Sequence, residues 1–193
     1  SKIPGNRKLI VSMNVTLDGF MSGPGCELDW HFKYWTTEMA EFMEQQLACA
    51  DTILLGRITY EAMASYWGPK AMDLSTPLED RAFAHMMNSH CKVVFSETLG
   101  HLPWKNSKRI WGNLYPEIIK LKGLPGKDIM LYGSGKLADA LIKQQLVDEF
   151  HLWVHPVVLG EGKALFKNGM YHALKLFETK TFRSGVVALF YKQ

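Results

Sequence analysis

Four short apolar runs, each closed by a small or polar residue, constrain this chain more than any other feature. Leu9 to Val15 is nearly continuous, with Ser12 and Asn14 inside it. Thr52-Ile53-Leu54-Leu55 ends at Gly56-Arg57, Lys92-Val93-Val94-Phe95 at Ser96, and Ile129-Met130-Leu131-Tyr132 at Gly133-Ser134-Gly135. Runs without polar alternation are typical of strands buried on both faces, which is the situation inside a parallel sheet. Stretches of helical spacing lie between them: from Thr36 or Thr37 to about Ala48, Thr59 to Tyr66, Leu78 to Asn88, Leu114 to Lys122, and Lys136 to Leu146. A short strand is expected at Arg109-Ile110-Trp111. After Val147 the rhythm changes to strands over Glu149–Leu159 (interrupted at Pro156), His172–Phe182 and Val186–Lys192. The pattern predicts one α/β domain with a mostly parallel central sheet, antiparallel C-terminal strands and flanking helices. A chain of 193 residues is of ordinary length for that.

Composition removes several alternatives. A net charge of +3 is too small to imply nucleic acid or an acidic membrane as partner, and no apolar run approaches membrane length. The opening Ser1-Lys2-Ile3-Pro4-Gly5 lacks the apolar core of a signal peptide. The histidines show no metal spacing: His151 and His155 share a strand face, but no third ligand is evident. Three cysteines form no metal spacing either; Cys49 and Cys91 border apolar runs and are expected to be buried, Cys26 exposed. These features suit a soluble, cytoplasmic protein. Charge is uneven: residues 26–51 carry six carboxylates against Lys33, and residues 105–136 carry seven cations against Glu117 and Asp128. The second stretch is either a solvated face or a basic approach for an anion.

Strand ends supply the candidate sites, because ligands collect at the carboxyl edge of parallel sheets. Gly133-Ser134-Gly135 lies between a strand and a helix, where glycines allow close approach and helix amides favour phosphate. It is not the dinucleotide fingerprint, since Lys136 follows and the third glycine is absent. Ser134 as a plain helix cap is the simpler reading. Gly56-Arg57 with Thr59 repeats the arrangement: Arg57 either holds a phosphate or faces solvent. Ser96 is a weaker third case. The long loop from Thr16 to about Tyr34 holds Asp18, Cys26, Glu27, Asp29 and Trp30, with glycines on both sides of Pro24. Loops of this length are commonly functional. Asp18-Gly19 is equally an ordinary turn, and Glu38 sits in a helix's first turn, where a carboxylate is favoured without catalytic duty. Trp111, Trp153 and Phe190 read as core or interface residues.

The segment Asn14-Val15-Thr16-Leu17-Asp18-Gly19-Phe20, then Glu27-Leu28-Asp29-Trp30, resembles dihydrofolate-reductase-like proteins related to the reductase domain of bacterial riboflavin biosynthesis. The likeness continues in Leu54-Leu55-Gly56-Arg57-Ile58-Thr59, in Tyr132-Gly133-Ser134-Gly135-Lys136-Leu137, and in Val154-His155-Pro156 through Gly160-Glu161-Gly162. It runs in one order over residues 7–192. The resemblance implies an NADPH-dependent reductase. Asn14, Val15, Leu17 and Gly19 would border the nicotinamide. Gly56, Arg57 and Thr59, with Ser96 nearby, would meet the adenosine-side phosphates, and Gly133, Ser134, Gly135, Lys136 and Leu137 the pyrophosphate. Asp18 would shape the site, while Asp29 and Glu38 are rival proton donors. The chain departs from folate reductases after Trp30, where Trp35 stands five residues on. It departs from riboflavin reductases at Tyr60-Glu61-Ala62-Met63, where those carry an Asn-Pro segment. A small pterin, pyrimidine or carbonyl compound is therefore the expected substrate class. A non-catalytic nucleotide-binding or structural protein of the same fold is the alternative. A homodimer is expected through the strands around Phe150–Leu159 and Val186–Phe190.

Overall fold

The computed structural model describes residues 6–193. In chain order its elements are β1 (Leu9–Thr16), β2 (Phe20–Ser22), α1 (Asp29–Phe32), α2 (Thr37–Ala48), β3 (Ala50–Gly56), α3 (Arg57–Lys70), α4 (Leu78–Ser89) and β4 (Cys91–Phe95). There follow β5 (Ser107–Ile110), α5 (Leu114–Gly123), β6 (Asp128–Gly133), α6 (Gly135–Lys143), β7 (Glu149–His155), β8 (Lys163–Ala164), β9 (Lys175–Thr181) and β10 (Val187–Lys192). Eight strands form one sheet in the order β5-β4-β3-β6-β1-β7-β10-β9, and β2 pairs with β8 in a small second sheet. The first six strands of that order run parallel. In this sheet the antiparallel pairings are β7–β10 and β10–β9, so β10 alone runs against the other strands. The expected mixed α/β architecture is what the chain adopts.

Apolar alternation along β1 explains how the sheet is covered. Leu9, Val11, Met13 and Val15 join a core with α5 and α6 residues such as Ile118, Leu121, Leu141 and Ile142. Ile10 joins the opposite core, with Met39, Met43 and Leu47 of α2 and Phe83 and Met87 of α4. Further along β1 that second face turns polar, through Ser12, Asn14 and Thr16. Three helices start at side-chain caps: the Thr36 hydroxyl accepts from Met39 N at 3.3 Å, Asn113 Oδ1 from Tyr115 N at 3.2 Å, and Ser134 Oγ from Leu137 N at 3.3 Å.

Several expectations are corrected. The Thr16–Tyr34 segment is not wholly irregular; it holds β2 and α1. The strand from Glu149 stops at His155, because Pro156 has no amide to continue the ladder. It runs parallel to β1, so the antiparallel region starts one strand later than the change of rhythm suggests. The first helix after Gly56 continues to Lys70 rather than Tyr66. Cys49 is exposed, at the C-cap of α2, and Cys91 half-buried. Trp111 is exposed, with the Arg109 guanidinium 4.7 Å from its ring centre. The strands proposed as a dimer edge are internal: β7 lies between β1 and β10, and β10 between β7 and β9. The basic stretch is also dispersed, since Lys122 bonds Asp148 and Lys127 bonds Ala48 O, at the amino ends of strands.

Trp153 anchors the second core. Its indole is 1% exposed, stands about 6 Å from Phe42, Phe182 and Phe190, and donates to Ser12 Oγ at 2.9 Å. Trp153→Ala removes a large buried ring and leaves Ser12 without this donor. Urea denaturation is expected to show a loss of about 3–5 kcal/mol; a loss below about 1 kcal/mol would mean that this cluster does not hold the sheet.

Candidate functional site

Two glycine turns meet at the carboxyl edge of the sheet. Gly56 ends β3 and Gly133 ends β6, and these strands are neighbours, with Leu55 in register with Gly133. A Cβ on Gly56 would stand 2.6 Å from Ser134 Oγ, and one on Gly133 2.8 Å from Thr59 Oγ1. No side chain fits at either place, and Gly133 also has φ +150°, a region that side chains rarely adopt. The Gly133–Ser134 peptide is cis. Two helices therefore begin side by side: α3 at Arg57, with no side-chain cap, and α6 at Gly135, capped by Ser134. Their first amides form an edge of positive partial charge. Arg57 is exposed beside it, paired with Glu61 one turn on at 3.2 Å, and Lys136 is exposed in the first turn of α6. Leu137 and Val15 send their side chains into the core, so only their backbones border the edge. Ser96 is buried and caps its own turn, its Oγ accepting from Thr98 N and Leu99 N at 3.2 and 3.1 Å.

The β1 loop is tied down beside this edge. Asp18 accepts from Thr16 Oγ1 at 2.6 Å, Gly160 N at 2.8 Å and Leu159 N at 3.3 Å. The Thr16 hydroxyl, with those two amides, holds its carboxyl below the usual Asp range. Leu17 N donates to Val157 O, and Gly19 O accepts from Leu165 N. Gly19 takes φ +89° at the turn. Met21 reaches the second glycine turn: a Cβ on Gly135 would lie 2.8 Å from its methyl.

On the polar face of β1, an aromatic wall forms around His155. Its ring centre lies 5.2 Å from Trp30, 5.6 Å from Tyr34 and 6.0 Å from His31. His155 is buried, with Nδ1 2.8 Å from Trp153 O. Burial holds its pKa low. Burial, and then His155, bring His31 down to about 4, so this ring is neutral at pH 7. Two buried polar atoms here have no partner, Asn14 Oδ1 and Trp30 Nε1. Trp30 and Asn14 are visible as candidates in the sequence, whereas His31, Tyr34 and His155 have no local spacing that marks them as a group. No cluster able to hold a metal exists among the described residues.

The structure does not gather the three carboxylates singled out in the sequence. Asp29 is exposed at the start of α1. Glu38 faces the β9–β10 turn, accepting from Arg183 N at 3.2 Å with Lys180 at 3.8 Å. Asp18 alone lies at the strand-end edge.

A parallel sheet with an antiparallel pair at one side, glycine turns at two strand ends and a pinned first loop define a dihydrofolate-reductase-like protein. The model of the RibD C-terminal domain matches residues 7–188, and the chain belongs to that family. It is similar to the uncharacterized protein YyaP of Bacillus subtilis, 40% identical over 186 residues that cover 96% of this chain and 94% of that one. The fold is shared with a riboflavin biosynthesis protein from Shewanella sp. PV-4, at TM-score 0.68 and 20% identity, covering 96% and 98% of the two chains. It is also shared with dihydrofolate reductase from Enterococcus faecalis, solved with NADP(H), at TM-score 0.62 and 15% identity over 98% and 97%.

Asp18→Ala removes the acceptor for two loop amides. Hydrogen exchange at Leu159 and Gly160 is expected to accelerate while circular dichroism stays unchanged. Because the folded pKa lies below the unfolded one, the anchor is complete above the ordinary Asp range and is lost as pH falls through the depressed value. The exchange difference between wild type and variant should therefore shrink toward low pH. Equal exchange at neutral pH would show that Asp18 does not hold the loop.

Proposed function

We propose that this protein is an NADPH-dependent reductase that delivers hydride to a small pterin-, pyrimidine- or carbonyl-containing metabolite. The observation that carries the reading is the pair of helix starts, α3 at Arg57 and α6 at Gly135, set side by side at adjacent strand ends because the Gly56 and Gly133 turns pack closely against Ser134 and Thr59. In this reading Gly56, Arg57 and Thr59 hold the adenosine-side phosphates with Ser96 nearby, and Gly133 to Leu137 the pyrophosphate. Asn14, Val15, Leu17 and Gly19 border the nicotinamide, which supplies the hydride when bound. Asp18 holds the loop closed and keeps water from the hydride path, while the aromatic wall of Trp30, Tyr34 and His155 offers a flat surface to the acceptor ring. Asp29 and Glu38 serve this reading less well as proton donors, since one is exposed and the other engaged elsewhere. That same lack of a gathered carboxylate favours the second reading, a non-catalytic nucleotide-binding protein. NADPH consumption with a panel of such metabolites separates the two.

Calorimetric titration is expected to give tighter binding of NADPH than of NADH. Arg57→Ala should weaken NADPH by about 1.5–3 kcal/mol, less where the pair stays wet, and NADH little. Equal affinity for the two cofactors in the wild type would overturn the placement of Arg57 on the extra phosphate.

Three unpaired thiols suit a reducing, cytoplasmic setting. A two-fold homodimer remains part of the proposal, moved to the free edge strand β9, where Leu176 and Phe177 are 45% and 43% exposed. Light scattering at micromolar concentration is expected to give twice the 22.0 kDa chain mass. A monomer mass would remove the dimer.

A further inference from the structure

We propose that Cys26 and Lys163 form a redox-sensitive cross-link in which one oxygen atom bridges the sulfur and the nitrogen. Lys163 Nζ lies 2.7 Å from Cys26 Sγ, across 137 residues of sequence. That is far closer than the 3.7 Å at which Cys49 Sγ meets the carbonyl of Gln45. The two side chains come from different elements: Cys26 from the loop after β2, Lys163 from the first position of β8. Lys163 is in register with Ser22 in the β2–β8 pair, and Cys26 N donates to Gly23 O at 3.1 Å, so both backbones are already held and no large movement is needed. The neighbouring carboxylate does not compete for the cation, since Glu27 turns back to accept from Gly25 N at 2.9 Å. Cys26 is exposed to dissolved oxidant. It also has φ 70°, a left-handed conformation that is uncommon for a residue with a Cβ. Thiols that combine exposure with a neighbouring cation are the ones that oxidise selectively.

The co-reactant is dioxygen. Cys26–SH, Lys163–NH2 and O2 give Cys26–S–O–NH–Lys163 and H2O. The S–H bond, one N–H bond and the O–O bond break; S–O and N–O bonds form. Sulfur and nitrogen each give up two electrons, and the four reduce both oxygen atoms. One oxygen stays in the bridge and the other leaves as water with the two hydrogens. The bridge ties the loop after β2 to β8, next to Met21 and the Gly135 turn, and it stands independently of the reductase reading.

The test is intact-mass and peptide mass spectrometry of the whole chain after incubation in oxygen-saturated buffer. The expected species is heavier by one oxygen and lighter by two hydrogens, yields a linked peptide pair containing Cys26 and Lys163, and reverts with dithiothreitol. Cys26→Ser and Lys163→Met, both at exposed side chains, should each lose that species completely, and Cys49→Ser and Cys91→Ser should retain it. Oxidation of Cys26 to sulfinate or sulfonate without the linked pair would overturn the proposal. So would persistence of the same mass change in Lys163→Met.

Discussion

The contact between the turns that end β3 and β6 sets the geometry of the sheet's carboxyl edge. Two hydrogen-bonded parallel strands can both turn into helices at the same level only if their turns pass one another without side chains. Gly56 and Gly133 meet that requirement, with Ser134 Oγ and Thr59 Oγ1 where two Cβ atoms would otherwise be. Sheet register follows the same constraint: pairing shifts between Leu54 and Leu55, which sets Leu55 opposite Gly133. The outcome is a pair of adjacent helix starts whose amides face one edge.

The rest of that edge is assembled by loops that borrow order from each other. The β1 loop lacks a core of its own, yet Leu17 bonds Val157, Gly19 bonds Leu165, and Asp18 takes the amides of Leu159 and Gly160. The segment after β7 is held by the same bonds. Neither loop is therefore positioned by its own sequence, which is why the long stretch from Thr16 to Tyr34 reads as irregular when taken alone.

What was legible follows from which forces are local. The strands at Leu9, Thr52, Lys92 and Ile129 and the helices between them stand where apolar periodicity sets them, because burial acts on contiguous residues. The caps at Thr36 and Ser134 were legible for the same reason. Cys49 shows the limit: an apolar neighbourhood in sequence does not specify which side of a helix end faces solvent. Strand direction and edges were also hidden, since β7 pairs with β1 and β10 through partners far away in the chain. Of the site, the glycine turns and Asp18 were visible as residue types, but that the turns touch was not. The wall around His155 was invisible, because Trp30, Tyr34 and His155 meet only after β7 is laid beside β1.

Charge is distributed across this edge in a way that bears on any proton step. Of the three candidate carboxylates, Asp18 is committed to backbone amides and Glu38 to the Arg183 amide, while Asp29 is exposed at the start of α1. The aromatic wall is left to groups that burial keeps neutral, His31 and His155 among them. Tyr132, at the end of β6, is likewise pushed upward by burial and keeps its proton. Uncharged groups of this kind strengthen hydrogen bonds by excluding water, and the aromatic faces still draw a cation, as the Lys33 ammonium 5.1 Å from the Tyr34 ring centre shows. Under the proposed reductase reading, an acceptor held there would be recognised by shape and by uncharged donors and acceptors, and a proton required by its reduction would come from water at the rim or from a neutral side chain rather than from a buried carboxylic acid.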